Sequence, residues 1–516
     1  MTLAATLPPG LSRERFAEAV SDFRAALGDD RVIVEIDRLL SYNKIMMPVD
    51  EALHQPSGVL IATTVEEVQK VLALCNHHGI PVWPISTGRN LGYGSAAPAT
   101  AGQMILDLRR MNRILEVDAE MGTALVEPGV TNQQLQDYLD EHKIPFWLSF
   151  PGPGPIVGPV GNTLDRGMGN NRYGEHAAHF CGMEVVLADG HVVRTGMGGV
   201  ENSRSWQSYR WGFGPWLDGL FCQSNFGVVT KMGFWLMAKP ETNLMVITAF
   251  PDEAAFGKGI DAARQLRLQG IIENCIGGKS LYGITMLTRR RDLYQGPDSL
   301  PDEIIAEVGA KIGAPPYFMA STLYGSPARV AADLEQVRRA LGGLGQLVTS
   351  DELGDKMPAP LAHFHKSMTG RMTLEEFGVY NFRGGGGSVW FAPVVRAHST
   401  DVVTSIRICS EVYREFGFDY SGGFQMGYGG RHLDHITELL FDRTDPEETR
   451  RAYACFDKLI KVNAAHGFAP YRVNTAFMKQ VAEVYGPAQQ EVNARLKRAL
   501  DPKGIIAPGK SGIVAS

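Results

Sequence analysis

The 516-residue chain has few of the features that would assign it to a specialised class. Its six cysteines, Cys75, Cys181, Cys222, Cys275, Cys409 and Cys455, are scattered, with no Cys-x-x-Cys pair. That spacing leaves no zinc or iron–sulfur ligand set and predicts buried, reduced thiols in apolar segments. The tight histidine pairs, His77-His78 and His432/His435, lack supporting ligands, so no metal site is expected. The net charge is −6 without any run of Lys or Arg longer than Arg289–Arg291, which argues against non-specific nucleic-acid binding. No apolar stretch reaches membrane-spanning length. Met1 to Gly10 reads as a loose arm without the charged and apolar regions of a signal peptide, so the sequence by itself reads as cytoplasmic. There is no internal repeat and no low-complexity tract. What is present is an ordinary globular composition, 44% hydrophobic and 21% charged, at a length that favours two or more domains.

The organising stretch is Pro84–Gly94, PISTGRNLGYG. Gly88, Gly92 and Gly94 let the backbone turn sharply and approach a ligand closely. Ser86, Thr87 and Asn90 add short polar groups and Arg89 adds charge. Successive N–H groups of this kind form an anion-binding nest suited to a diphosphate. The usual dinucleotide reading fails, because a Rossmann fingerprint needs a helix opening straight after the loop, and Ser95-Ala-Ala-Pro98 has no helical period. On its own the stretch is equally a glycine-rich surface turn.

The surrounding pattern is α+β. Arg13 to Leu27 has helical spacing, and Gly58 to Ala62 is a short apolar strand. Thr64 with Glu67 reads as a capping box for a helix whose apolar face is Val65, Val68, Val71, Leu72 and Cys75, ended by Gly79. Val82 to Ile85 is the strand that feeds the glycine loop. Met104 to Leu108, Ile114 to Val117 and Thr123 to Glu127 read as further strands, and Thr131 caps a helix to Glu141. Ser149 to Gly161, with four prolines and four glycines, reads as a structured loop. Met183 to Leu187 and His191 to Thr195 form a hairpin around Asp189-Gly190. Beyond Pro240 longer elements take over, with amphipathic helices over Phe256–Leu268, Pro301–Ile312, Pro327–Leu341, Val402–Phe416 and Glu447–Ala465. A last helix covers Gln489–Leu500, before a glycine/proline-rich end, Asp501–Gly512.

Eight ordered stretches together resemble one family: Pro84–Gly94, Val126–Val130 (VEPGV), Pro159–Gly167 (PVGNTLDRG), Tyr173–His176 (YGEH), Arg194–Gly198 (RTGMG), Tyr380–Pro393 (YNFRGGGGSVWFAP), Tyr471–Asn474 (YRVN) and Ile506–Gly512 (IAPGKSG). In these the chain is similar to the vanillyl-alcohol oxidase family of flavoproteins. The resemblance implies a two-part FAD-binding domain, residues 1–239 and 467–516, interrupted by an α+β cap (substrate) domain, residues 240–466. It implies that Ser86, Thr87, Gly88, Arg89, Asn90, Gly92 and Lys510 bind FAD. The family's chemistry is oxidation of para-alkyl phenols at the benzylic carbon, by hydride transfer to the flavin and addition of water to a para-quinone methide.

Such chemistry needs a phenolate, and a guanidinium with two hydroxyl donors on the oxygen favours one. Tyr93, Tyr471 and Arg472 match the family positions that do this. Glu376 corresponds to a carboxylate near the benzylic carbon. Tyr380 matches the tyrosine that carries FAD covalently in the branch that passes electrons to a c-type cytochrome, and the following Gly384–Gly387 run lacks the histidine used by the oxidase branch. Those glycines are expected to let backbone pass against the flavin ring, and Trp390 either relays electrons or is core. Relatives carry an acid near position 423 and then Arg-x-Met-His-His, whereas this chain has Gly422-Gly423 and RHLDH with two apparent extra residues. Asp434, His435 and Glu438 are therefore candidates for the base that activates water, and the glycines suggest a roomier site. The oxidase branch places an aspartate before the Asn-Thr motif, but Leu148–Leu164 has no acid. The resemblance thus implies a homodimer that docks a cytochrome, which normally resides in the periplasm, with a dioxygen-using phenol oxidase as the alternative.

Overall fold

The computed structural model describes residues 6–152 and 154–515; residues 1–5 of the expected N-terminal arm lie outside the described residues. Three larger sheets follow one another along the chain. The first has the order Val32–Ile33, Gly58–Ile61, Met104–Asp107, Val82–Ile85, the last three parallel. These strands are almost wholly buried, as parallel strands covered on both faces must be. Helix Arg13–Leu27 turns Phe16, Ala19, Val20, Phe23 and Leu27 inward, and helix Val65–His78 does the same with Val68, Val71, Leu72 and Cys75. Only half of the expected capping box forms. Thr64 accepts the Glu67 N–H at 3.2 Å, but the Glu67 carboxylate reaches past it to the Thr63 N–H at 2.8 Å and to Arg31 at 2.6 Å, a charge-assisted partner that the cap backbone cannot match. Gly79 ends the helix in the left-handed conformation, φ 69°.

The second sheet is antiparallel, in the order Ile114–Asp118, Thr123–Val126, Val228–Trp235, Phe180–Val186, Val192–Arg194. Beside it runs helix Asn132–Glu141, capped by Thr131. The following proline-rich loop is shorter than its composition suggests. Its last residues open helix Pro159–Leu164, with Pro159 at the first helical position, where a missing N–H costs nothing.

The third sheet has nine strands. Its path runs Gln346–Thr349, Thr242–Phe250, Tyr317–Gly325, Ile276–Lys279, Ser421–Met426, His432–Phe441, Pro393–Arg396, Ala469–Pro470, with Gly387–Phe391 also paired to His432–Phe441. Helices Glu253–Leu268, Pro327–Leu341, Ser399–Glu415 and Pro446–Ala465 cover one face and share the largest core with it. Two of these begin about three residues earlier than apolar periodicity indicates, because Asp252 and His398 cap polar first turns. Helices Leu281–Leu287 and Ala359–Met368 had no clear signal in the sequence. All six cysteines are free and buried. No helix of the described residues is long and apolar enough to cross a membrane.

The C-terminal tail returns to the first sheet. The Val82 N–H donates to the Ile505 carbonyl and the Ala507 N–H to the Val82 carbonyl, both at 2.7 Å. Lys497, completely buried, fixes this return: its ammonium donates to the Asn225 and Ile506 carbonyls and pairs with Asp501 at 2.7 Å. The Asp501 carboxylate accepts the Ile505 and Ile506 N–H groups. Removing one member of a buried pair strands the other charge, which costs ~3–5 kcal/mol. Lys497→Met is therefore expected to lower the urea midpoint of the FAD-loaded protein strongly, and an unchanged midpoint would show that the pair does not hold the tail.

Candidate functional site

After strand Val82–Ile85 the chain turns without opening a helix, with positive φ at Gly88 (66°), Gly92 (70°) and Gly94 (114°). A Cβ on Gly92 would sit 2.3 Å from Trp390 Cδ1, and one on Gly94 2.3 Å from Thr475 Oγ1. The loop is thus clamped between the third sheet and the 471–475 segment. On its other side, a Cβ on Gly161 would lie 2.1 Å from Ser86 Oγ. Ser86, Thr87, Gly88, Arg89 and Asn90 line a long cleft, and Lys510 lines it too. Gly92 lies outside the lining, and its part is the close approach of Trp390.

Asp165 ties this cleft together. Its carboxylate pairs with Lys510 at 2.5 Å and faces Arg472 at 3.8 Å. Burial would push this carboxyl up, but Lys510 and Arg472 outweigh that effect and hold it below its ordinary range. Arg472 also donates to Asn90 Oδ1 at 2.5 Å. Its Nε is buried and has no partner among the described residues. A buried cationic N–H left free in a cleft fits an anionic or strongly accepting group, as do Lys510 and the loop amides. Asp165 was missed as a site residue, although it lies within the quoted PVGNTLDRG stretch. Asn162 of the same stretch is held by His176, whose Nδ1 lies 2.6 Å from Asn162 Oδ1.

A second cleft shares Arg89, Asn90, Val157, Asn162 and Arg472 with the first. One elongated ligand can therefore run from the loop into it. Tyr93, Tyr471, Glu376, Tyr282 and Trp390 line it. The Arg472 guanidinium lies 4.0 Å from the Tyr93 ring centroid. Burial pushes the Tyr93 phenol up to about 12, partly offset by Arg472, and raises Tyr471 as well, so both stay protonated donors. The Tyr282 hydroxyl donates to Glu376 Oε1, while Oε2 has no partner among the described residues. That oxygen lies over Gly152, where a Cβ would come within 1.3 Å of it. Tyr282 sits on one of the helices without a sequence signal and was not foreseen.

Strand alternation sorts the three candidate bases. Asp434, Ile436 and Glu438 share the face toward this cleft, whereas His435 points the other way. His435 lies 2.6 Å from both Ser405 Oγ and Tyr420 Oη and stacks on Phe424, and burial drops it to about 3. It is a satisfied core histidine, which removes it as a candidate base. Glu438 accepts from Ser388 Oγ at 2.6 Å; burial pushes its carboxyl well up, and Glu376 adds to this against the Ser388 hydrogen bond. Asp434 is pushed up to about 7 by burial and by Glu175. His432 lies 3.9 Å from Glu175 and 4.0 Å from Asp434.

Tyr380 lies on the short helix Glu375–Asn381, its phenol raised by burial and by the nearby Glu438, Glu376 and Tyr93. The glycine run after it does not reach the cleft lining as expected. Gly384, Gly385 and Gly386 instead turn with positive φ, and a Cβ on Gly385 would strike Asp442 Oδ1 at 1.9 Å. Both glycines expected to give room line the cleft; Gly423 shares a strand face with Ile436, while a Cβ on Gly422 would meet Thr437 and Tyr420.

Residues 56–196 match the FAD binding domain, and residues 397–511 match the C-terminal domain of FAD linked oxidases. The flavoprotein subunit of 4-cresol dehydrogenase [hydroxylating] from Pseudomonas putida is 47% identical over 99% of this chain and 98% of its own. The 1'-carboxy-chondrochloren decarboxylase of Chondromyces crocatus is 30% identical over 89% of this chain and 90% of its own. Among solved structures, p-cresol methylhydroxylase with substrate bound superposes with a TM-score of 0.97 at 46% identity, covering 99% of both chains. The 4-ethylphenol oxidase from Gulosibacter chungangensis gives 0.94 at 31%, again over 99% of both.

Asp434 provides a test of the electrostatics. Its carboxyl titrates near 7 in the folded chain against an ordinary 3.8. The native state therefore keeps a proton that the unfolded chain has lost, and stability falls as pH rises from about 4 to about 7. Asp434→Asn, a mimic of the protonated form, is expected to melt above the parent at pH 8, with the gain shrinking toward pH 4. A gain independent of pH would mean that Asp434 titrates normally.

Proposed function

The chain belongs to the vanillyl-alcohol oxidase family of flavoproteins, and within it we propose an FAD-dependent hydroxylase of para-alkyl phenols that passes electrons to a c-type cytochrome. The observation that carries this reading is the junction of the two clefts, where Arg472 keeps a free buried N–H beside two protonated tyrosines. Residues 1–239 and 467–516 hold FAD, with Ser86, Thr87, Gly88, Arg89, Asn90 and Lys510 at the cleft and Gly92 shaping the loop. Residues 240–466 form the cap over the substrate. Bound FAD supplies the hydride acceptor.

Tyr93, Tyr471 and Arg472 hold the phenol oxygen. A free phenol titrates near ~10, so the guanidinium and two donors supply the charge and hydrogen bonds that favour phenolate at neutral pH. Loss of hydride from the benzylic carbon leaves a para-quinone methide, open to water. Glu376 lines the cleft with one carboxylate oxygen anchored by Tyr282 and one free, and is the group that holds the attacking water and takes its proton. Glu438 and Asp434, both pushed up by burial, stand behind as largely protonated carboxyls that add little negative charge against Glu376.

Tyr380 is the proposed point of covalent FAD attachment, and the working unit is a homodimer with bound cytochrome, which sets its place in the periplasm. The loop Leu148–Leu164 has no acid of the kind the oxidases use, which supports cytochrome rather than dioxygen as acceptor.

Tyr471→Phe and Arg472→Ala are each expected to lose ~2–4 kcal/mol of transition-state stabilisation, about 30- to 1000-fold in kcat/KM for 4-methylphenol. A change under roughly threefold would take the residue out of the site. Parent protein matured with FAD and an electron acceptor is expected to show flavin fluorescence in its denatured gel band, and Tyr380→Phe none; free release of flavin by the parent would refute the attachment. After reduction by 4-methylphenol, cytochrome c is expected to reoxidise the flavin far faster than air. Air reoxidation at the rate of turnover would make the protein an oxidase.

A further inference from the structure

We propose a second ligand site, on the helix-covered side of the third sheet, that binds a small amphipathic monocarboxylate beside Lys279. Along strand Ile276–Lys279 the side chains alternate. Ile276 faces the phenol cleft, and the side chain of Lys279, paired with Tyr317, turns to the opposite face, although the residue also borders that cleft. There it enters a cavity of about 570 Å³ between the sheet, helix Asp302–Lys311 and the end of helix Ser399–Glu415. The walls are mainly apolar, with Leu281, Ile284, Ile305 and Phe418 among them.

The Lys279 ammonium lies 5.6 Å from the Tyr420 ring centroid and 5.9 Å from that of Tyr317. Both rings are within cation–π reach, but no carboxylate lies within ion-pair distance of this lysine among the described residues. The Asp302 carboxylate, 82% exposed, is at the mouth, where it faces Arg414 at 3.8 Å. Burial lowers the Lys279 pKa, against the more distant Asp302 and Glu253. A second polar group in the lining is also unsatisfied: Ser410 Oγ is buried without a partner among the described residues.

A half-buried cation without a counter-charge is costly, and two tyrosine faces compensate only in part. A carboxylate supplies the missing charge and accepts from Ser410, while an aromatic or short aliphatic body fills the apolar walls. A neutral phenol would leave the ammonium unpaired. A phosphate or dicarboxylate would carry a further charge into an apolar space. Aromatic carboxylates are also the class that continued oxidation of a benzylic alcohol produces. Lys279 itself borders both this cavity and the phenol cleft, so occupancy of one would be felt in the other.

The test is calorimetric titration of the FAD-loaded protein with benzoate. Saturable binding at one site per chain is expected, weakened roughly tenfold or more by Lys279→Met and less by Ser410→Val. Arg472→Ala, which removes the cation that the phenol cleft holds beside Tyr93, is expected to leave it intact, and benzyl alcohol is expected not to bind. Crystals soaked in 4-bromobenzoate are expected to show bromine between Lys279 and Ile305, a readout that needs no variant. No binding below about 10 mM, or binding lost in Arg472→Ala and kept in Lys279→Met, would overturn the proposal.

Discussion

The whole site depends on one half-buried carboxylate. Asp165 receives Lys510 on one oxygen and faces Arg472 with the other, so a single residue fixes two of the three cations that line the cleft among the described residues. With Asp165 and Asn90 engaging its terminal nitrogen, Arg472 keeps its Nε free for a ligand. Had Asp165 been neutral, Lys510 and Arg472 would repel each other across a poorly solvated gap, and the guanidinium would lose its orientation. The glycine loop, the Asn-Thr helix and the 471–475 segment all converge on this group of charges.

The third sheet then separates two chemistries by strand period alone. On one face Asp434, Ile436 and Glu438 look toward the phenol cleft; on the other His435, Phe424 and Tyr420 pack under helices. On the neighbouring strand Ile276 and Lys279 divide in the same way, with Lys279 turned toward the Tyr317 and Tyr420 rings. A change of one position along such a strand exchanges a titratable group facing ligand for a core residue, which is why three candidates on one strand, Asp434, His435 and Glu438, had such different environments.

Much of the fold was legible because its signals are local. Thr64, Gly79, Thr131 and Pro159 act within one turn of themselves. Family resemblance carried Tyr93, Glu376, Tyr471 and Arg472, which the fold gathers around one cleft. What escaped was non-local. Tyr282 meets Glu376 across 94 positions, and Asp165 meets Lys510 across 345, and neither pairing leaves a periodic trace. His435 looked available because a sequence does not say which side of a strand faces a ligand until a neighbouring strand is known. The Gly384–Gly387 run looked like a flat approach to a ring because only the fold supplies Asp442 on its other side.

The long reach of these contacts bears on how the protein matures in the cell. Asn90 leaves the ribosome 382 residues before Arg472, and Gln103 leaves it 405 residues before Pro508, whose carbonyl it bonds. The glycine loop must therefore wait, with its own sheet still missing the Ile505–Ala507 edge, until nearly all of the chain has been synthesised. Capture of the dinucleotide is consequently a late event of biogenesis, and any supply of cofactor acts on finished chains and not on nascent ones. Nicking or loss of the final residues after synthesis would open the first sheet and the nucleotide cleft together, coupling proteolytic damage at one end of the polypeptide to release of whatever is bound near the other.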